Sequence, residues 1–231
     1  MNIAIIPARG GSKRIPRKNI KLFDGKPMIA YAAIAAKASG IFEHIVVSTE
    51  DEEIAAIARE WGAETPFVRP AELANDSTAT VPVVAHGVQA CRALGWTFEH
   101  VCCIYPGVPF IHIDDVKGAL ALLMQGAADY CYPVTQFPSA VQRALRRSAN
   151  GRMQPLYPQF ETTRTQDLEP AYHDAGQFYW GKAGAWLHNT KIHSSGIGYV
   201  IPSWRVVDID TDEDWRRAEA MCGAYYKMNS L

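Results

Sequence analysis

Residues 2–20 read Asn-Ile-Ala-Ile-Ile-Pro-Ala-Arg-Gly-Gly-Ser-Lys-Arg-Ile-Pro-Arg-Lys-Asn-Ile, an apolar run that breaks into a basic turn with two glycines. The pattern predicts a buried first strand that leads into an anion-binding loop, the usual ligand crevice of an open α/β sheet. Residues 1–23 contain six cations and no acid. Gly10 and Gly11 lack a Cβ, so their backbone N–H groups can approach a phosphate closely. The alternative is a solvated basic loop without a ligand.

Outward from this loop, apolar runs and helix signals alternate along the chain. Strands are predicted over 44–48, 100–105, 130–134, 198–202 and 205–210. Helices are predicted over 26–39, from Ser48/Thr49 to Gly62, over 80–94 with a cap at Ser77 or Thr78, from Asp114 to about Gly126, and over 212–227. This alternation predicts an α/β fold with a doubly wound, mainly parallel sheet. We expect a single domain over residues 1–231.

The pattern changes between about residue 137 and residue 175, where no long helix is legible. Asn150-Gly151 lies between two runs, 141–147 and 153–157, and indicates a β-hairpin. A two-stranded ribbon is marginal alone, so we expect this elaboration to pack against a second subunit in a homodimer.

The composition bounds the class of protein. The chain has 48% hydrophobic and 20% charged residues, as ordinary soluble globular proteins do. Its net charge of −1 gives no reason to expect a nucleic-acid or membrane partner. No apolar run approaches the roughly 20 residues of a membrane span, so we expect a cytoplasmic protein. Five cysteines, odd in number and without C-x-x-C spacing, indicate reduced core thiols.

Asp208 and Asp210 lie two positions apart in a predicted strand, which would place their carboxylates about 7 Å apart on one face. Mg²⁺ prefers oxygen ligands and takes one or two protein carboxylates, with others from substrate phosphates. Beside a basic loop, this pair indicates a Mg²⁺ site, in which Mn²⁺ can substitute. The alternative is that the two acids cap the final helix at Asp212.

Five segments carry a resemblance to a known family. They are Ile6–Asn19, Arg69-Pro-Ala-Glu-Leu-Ala, Thr163-Arg164-Thr-Gln-Asp-Leu168, Asp174-Ala-Gly-Gln-Phe-Tyr-Trp-Gly181 and Val207-Asp-Ile-Asp-Thr211. Over nearly its whole length the chain resembles the cytidylyltransferases that activate nonulosonic (sialic-type) acids as CMP-sugars. The block Asp174–Gly181 looks closest to the pseudaminic acid branch. The resemblance implies a Rossmann-like nucleotidyltransferase fold with a β-ribbon dimerisation arm, which couples CTP to an acidic nine-carbon sugar and releases pyrophosphate.

The resemblance also implies roles for individual residues. The nucleotide is expected to contact Ala8, Arg9, Gly10, Gly11, Ser12, Lys18, Asn19, Arg69 and Pro106. Catalysis is expected of Arg9, Lys18, Asp208 and Asp210. Of these, Lys18 is expected to stabilise transition-state charge. The sugar is expected to contact Arg164, Gln177, Tyr179 and His173. The alternating Phe178 and Trp180 would face the core.

Some assignments stay open at this point. Lys13, Arg14 and Arg17 either contact phosphate or are solvated charges. Arg69 either makes a bidentate contact with the nucleotide or forms a surface ion pair with Glu72. Gly107 stands where relatives place a hydroxyl-bearing residue, and it has no side chain to donate a hydrogen bond.

Three other functions also stay open. They are a CMP-sugar synthetase for sialic or legionaminic acid, a D-x-D glycosyltransferase that uses a nucleotide sugar, and a nucleotide-binding protein that has lost catalysis.

Overall fold

The computed structural model describes residues 1–188 and 190–229. Its strands are β1 (Asn2–Pro7), β2 (Leu22–Phe23), β3 (Lys26–Pro27), β4 (His44–Ser48), β5 (His100–Ile104), β6 (Tyr130–Gln136), β7 (Leu145–Arg147), β8 (Met153–Pro155), β9 (Tyr172–Asp174), β10 (Phe178–Lys182) and β11 (Gly196–Val200). Its helices are α1 (Met28–Ser39), α2 (Glu52–Glu60), α3 (Thr80–Ala93), α4 (Ile113–Gln125), α5 (Ala183–Leu187) and α6 (Asp212–Asn229). None of these helices is both long and apolar enough to cross a membrane.

Seven strands form the central sheet in the order β11-β6-β10-β5-β1-β4, with β9 beside β6. β1 pairs in parallel with β4 and β5, and β6 pairs in parallel with β11. β10 is inserted between β5 and β6 and runs antiparallel to both, and β9 runs antiparallel to β6. Five strands therefore point the same way, which confirms the mainly parallel α/β sheet expected from the sequence.

Strand β10 is buried on both faces of the sheet. Phe178 and Trp180 are 0% exposed and belong to the core on one face, which confirms their predicted place. Tyr179 is 5% exposed and packs into the core on the other face. A strand covered on both sides reads as a continuous apolar run, so its pattern gives no direction.

Helices cover both faces of the sheet and a third cluster supports the basic loop. One core lies under α1, α2 and α4, and the opposite core lies under α3 and α5. The third cluster joins Ile15 of the basic loop to Ile209 and to Trp215 of α6. Burial of each isoleucine contributes about 1.5–3 kcal/mol, so the loop is anchored to the segment that carries Asp208 and Asp210. All five cysteines are buried, which agrees with the core positions expected from the sequence.

Two predicted helix caps are wrong. The N-cap of α2 is Asp51, whose Oδ1 accepts from the Ile54 N–H at 3.0 Å, and not Ser48 or Thr49. α3 begins after Ala79 with no side-chain cap, because the Ser77 and Thr78 hydroxyls bond elsewhere in the preceding loop. The helices themselves lie where the sequence predicted them.

The hairpin around Asn150-Gly151 is confirmed. β7 and β8 pair antiparallel, and Gly151 has φ +85°, a conformation that favours glycine. The ribbon is separate from the central sheet, and its Leu145 and Met153 are 54% and 52% exposed. The single-domain assignment and the dimer arm stay predictions.

Residues 205–210, called here the carboxylate segment, do not form the predicted strand. In the part of the chain that the structure describes, they connect β11 to α6 without pairing with the sheet. The apolar side chains of Val206, Val207 and Ile209 do not cover a sheet face. Val207 and Ile209 pack in the third cluster, and all three line the aliphatic cavity described below.

Candidate active site

Two adjacent cavities open where β1 and β5 end. The basic cavity, of about 520 Å³, is lined by five cations and two acids: Arg9, Lys13, Arg14, Lys18, Arg69, Asp76 and Asp210. The aliphatic cavity, of about 430 Å³, is lined by Pro106, Ala175, Val206, Val207 and Ile209, with His173, Asp174 and Asp208. Lys18, Tyr105 and Pro106 line both, so the two cavities share a wall.

The basic loop is held in place by its own buried residues. The Ala8 N–H donates to the Ser48 carbonyl at 3.0 Å, which continues the pairing of β1 with β4. Asn19 is 6% exposed, and its Nδ2 donates to the Arg9 carbonyl at 2.9 Å across the loop. With Ile15 buried below, the loop presents its charged side chains to one side.

The loop's cations are paired with acids from other segments. Arg9 and Lys13 both contact Asp76, in the loop before α3. The Arg14 Nη2 lies 2.8 Å from Asp210. The cations that border the basic cavity are therefore paired with two carboxylates, Asp76 and Asp210, whose side chains are 43% and 32% exposed.

Arg17 is the exception among these cations. It contacts Asp51 and Glu53 at the start of α2, and it does not line either cavity. The Asp51 hydrogen bond raises the pKa of Arg17, and the same bond lowers the pKa of Asp51. Arg17 therefore ties the loop to α2, whereas Lys13 and Arg14 face the basic cavity.

The Gly10 N–H group, which was predicted to approach a phosphate, bonds within the protein instead. It donates to the Glu50 Oε1 at 2.7 Å and is not free for a phosphate in this conformation. A Cβ at Gly10 would lie 2.5 Å from the Asp51 Oδ2, so this position requires glycine for the close approach of Asp51. Gly10, Gly11 and Ala8 lie outside the lining of both cavities.

Arg69 forms part of the wall of the basic cavity. It is 4% exposed, and its guanidinium donates to the Ser48 hydroxyl at 3.2 Å and to the Ser48 carbonyl. Burial lowers its pKa, and the charge of Glu50 opposes that shift. Within the described residues it forms no ion pair with Glu72, so the surface-pair alternative is not seen.

Lys18 lies between the two predicted metal ligands. Its Nζ donates to the Ile209 carbonyl at 2.9 Å and lies 3.4 Å from the Asp210 Oδ1. Of the predicted catalytic residues, Arg9 and Asp210 line the basic cavity, Asp208 lines the aliphatic cavity, and Lys18 lies in the wall that the cavities share.

The two carboxylates suit a hydrated divalent cation. Desolvation raises the pKa of Asp208, and the negative charge of Asp210 raises it further. A cation between them would relieve that repulsion. No cluster of three or more His, Cys, Asp or Glu side chains able to hold a metal occurs in residues 1–188 and 190–229. The Mg²⁺ site therefore stays a prediction, in which phosphates and water would supply the other ligands.

Three of the four predicted sugar contacts lie outside the aliphatic cavity. His173 lines it. Gln177 is buried behind it, and Nε2 of Gln177 donates to the Arg205 carbonyl at 2.7 Å. The Tyr179 hydroxyl donates to the Asp174 Oδ2 at 2.9 Å. Arg164 is exposed, and its Nε donates to Asp167 at 3.0 Å in the ribbon region.

Sequence reasoning missed several residues at the site. Asp76 lines the basic cavity, and Asp174 anchors the wall of the aliphatic cavity through the Gly176 N–H at 2.8 Å. Asp174 was visible as the first residue of the Asp174–Gly181 block. Asp76 carried no local signal, because its role depends on cations far away in sequence.

This chain is similar to known cytidylyltransferases over most of its length. The family model described as Cytidylyltransferase matches residues 3–189. Pseudaminic acid cytidylyltransferase of Campylobacter jejuni subsp. jejuni is 40% identical, over 99% of this chain and 97% of that protein. CMP-N,N'-diacetyllegionaminic acid synthase of Legionella pneumophila is 30% identical, over 95% of each.

Solved structures agree on the fold. CMP:2-keto-3-deoxy-manno-octonic acid synthetase complexed with CTP superposes with a TM-score of 0.70, covering 97% of this chain and 99% of that chain at 16% identity. 4-Diphosphocytidyl-2C-methyl-D-erythritol synthase from Anaerococcus prevotii superposes with a TM-score of 0.65, covering 96% and 98% at 13% identity. The nucleotidyltransferase fold expected from the sequence is confirmed.

Proposed function

Because this chain belongs to the cytidylyltransferase family, we propose that it transfers the cytidylyl group of CTP to pseudaminic acid and releases pyrophosphate. The observation that carries the proposal is the pair of cavities that share the Lys18 wall beside Asp208 and Asp210. A polyanion and an acidic sugar must meet at one point in this reaction, and two joined cavities provide for both.

The basic cavity suits the triphosphate of CTP. Its five cations outnumber its two acids, and the Arg14 and Lys13 side chains are 66% and 81% exposed. Charge-assisted hydrogen bonds from arginine to phosphate are among the stronger polar contacts. Arg69, fixed by Ser48, is the best-ordered donor for the nucleotide.

Lys18 is the residue best placed for the chemical step. The acceptor hydroxyl attacks the α-phosphorus of CTP and loses its proton to water. The bond from the α-phosphorus to the bridging oxygen breaks, and pyrophosphate leaves with those electrons. Negative charge spreads over the phosphoryl oxygens, and a preorganised cation stabilises it most when water is excluded. Asp208 and Asp210 would hold Mg²⁺, which supplies further positive charge to the phosphates when bound.

The aliphatic cavity supports the choice of acceptor. Its valine, proline and alanine side chains suit methyl groups, and pseudaminic acid is a deoxy, diacetamido sugar with fewer hydroxyls than sialic acid. Lys18 and His173 are the groups in this cavity that can face a carboxylate. Legionaminic and sialic acids remain the alternative acceptors.

Pyrophosphate release from CTP with a panel of nonulosonic acids tests the function. We expect kcat/KM with pseudaminic acid to exceed that with sialic acid by at least about tenfold, a difference of about 1.4 kcal/mol that lies within the range over which an apolar pocket discriminates. Equal rates with both sugars would refute the acceptor. Absence of pyrophosphate release with every sugar, despite CTP binding, would favour a protein without catalysis.

We further propose a cytoplasmic homodimer that has no nucleic-acid or membrane partner. Five buried cysteines, odd in number and without C-x-x-C spacing, support a reducing compartment. Exposed apolar side chains on and near the ribbon, at Leu145, Met153, Leu156 and Tyr157, support a second subunit there. Sedimentation equilibrium should give twice the chain mass at micromolar concentration, and Leu145→Asp with Met153→Asp should give the monomer. A monomeric unmodified protein would refute the dimer.

A further inference from the structure

The carboxylate segment is positioned by side chains and not by a sheet. It begins three residues before Asp208, at Arg205, which is the last residue of a 3₁₀ turn over Ser203–Arg205. Its far end is fixed by the cap of α6, where the Asp210 N–H donates to the Asp214 Oδ2 at 3.2 Å. Between the two ends, Ile209 is buried in the third cluster and its carbonyl accepts from the Lys18 Nζ, so contacts at the near end are a further restraint on where Asp208 lies.

Gln177 holds the main chain at that near end. Nε2 of Gln177 donates to the Arg205 carbonyl at 2.7 Å. The residue is 4% exposed, and its own carbonyl accepts from the Tyr105 N–H at 2.9 Å, so its backbone is fixed beside the end of β5. Because a backbone carbonyl can only accept, the amide nitrogen must face Arg205. The amide oxygen is buried and has no partner within the described residues.

Asp115 holds the side chain of the same residue. The Arg205 Nη2 donates to the Asp115 Oδ1 at 3.2 Å, and the Arg205 Nη1 lies 2.7 Å from the Asp115 Oδ2 as an ion pair without hydrogen-bond geometry. The side chains are 11% and 8% exposed, and Asp115 lies in the first turn of α4, where the helix dipole favours an anion. Removal of one partner from a buried pair leaves an uncompensated charge.

We propose that Gln177 and Asp115 are positioning residues that act through Arg205 to place Asp208 and Asp210 for the metal. Neither Gln177 nor Asp115 lines either cavity, so neither touches the nucleotide or the sugar in this arrangement. The proposal rests on the proposed function only for the identity of the metal-dependent reaction. It replaces direct sugar recognition as the role of Gln177.

The first test measures the segment and the metal without turnover. Gln177→Met keeps the volume and removes the donor, and Gln125→Met on the exposed end of α4 is its control. In metal-free protein, amide hydrogen exchange over residues 206–210 should accelerate in Gln177→Met while β1 stays unchanged. The dissociation constant for Mn²⁺ in the presence of CTP, measured by electron paramagnetic resonance, should rise by about tenfold. Unchanged exchange and unchanged Mn²⁺ affinity would overturn the proposal.

The second test separates positioning from sugar recognition. Asp115→Asn and Gln177→Met should both raise the Mg²⁺ concentration for half-maximal rate by about tenfold, with the ratio of rates between two sugars unchanged. Asp114→Asn, an 82% exposed neighbour, is the control for Asp115. A changed sugar ratio with normal Mg²⁺ activation would show that Gln177 reads the sugar. The exchange and Mn²⁺ measurements hold whichever sugar is the substrate, so a wrong acceptor would not be mistaken for a wrong positioning role.

Discussion

The two cavities are built in different ways. Four of the five cations of the basic cavity come from one continuous loop, residues 9–18, and a single anchoring cluster presents them together. The aliphatic cavity is assembled from three segments far apart in sequence, 105–107, 173–176 and 206–209. The charges of the basic cavity are thus encoded in one stretch of sequence. The shape of the aliphatic cavity depends instead on how distant segments pack against each other. The shared wall at Lys18 is the point at which these two designs act together.

Removal of the Lys18 charge from the shared wall should have the largest effect. Lys18→Met removes the charge that faces both cavities, so we expect kcat to fall by about 10²–10³-fold, as for loss of one preorganised donor to a transition-state oxyanion. Pyrophosphate release should fall equally with pseudaminic and sialic acids. Lys21→Met, whose ammonium pairs with Asp212 outside both cavities, is the control. A loss confined to one sugar would place Lys18 in acceptor recognition alone.

A smaller effect should follow from the acid on the basic side. Asp76 accepts from Arg9 and Lys13 without the nucleotide, and these bonds lower the pKa of Asp76. CTP must displace it, so Asp76→Asn should tighten CTP binding in calorimetry, by no more than about fivefold because exposed ion pairs are weak. Asp129→Asn removes an equally exposed acid, paired with Lys182 away from both cavities, and should change nothing. Weaker CTP binding in Asp76→Asn would mean that this acid assists the nucleotide.

The smallest effect should come from one side chain of the aliphatic cavity. Val206→Thr puts a hydroxyl where a methyl lay, so the preference for pseudaminic over sialic acid should narrow by about threefold, as apolar pockets discriminate weakly. The KM for CTP should stay the same. Val200→Thr, at a 61% exposed site on β11, is the matched control. A changed KM for CTP with an unchanged sugar ratio would break the distinction between the cavities.

The sequence predicted the fold well where burial decides structure. Runs such as 44–48 and 100–104 are buried strands because their apolar side chains need cover on both faces. The same reasoning failed for residues 205–210, whose apolar pattern is satisfied by a cluster and a cavity. It also gave no direction for β10, because strand pairing is set by distant partners.

The sequence likewise predicted only part of the candidate site. Arg9, Ser12, Lys18 and Asn19 lie together because they share one loop, and all four line the basic cavity. Their contact with a nucleotide stays a prediction. Gln177 was expected at the sugar because the Asp174–Gly181 block resembles that of the family. Its hydrogen bond goes instead to a carbonyl 28 residues away, a partner that no local pattern encodes.

The close approach of Asp51 to Gly10 limits how this loop can be moved between proteins. Asp51 caps α2 and binds Arg17, which itself has φ +56°, and it occupies the space above Gly10. A graft of residues 6–19 alone onto another scaffold would lose the acid that shapes the turn. A graft that keeps the turn would need the loop together with β4 and the first turn of α2. These two pieces are separated in the chain but are held to each other by Asp51.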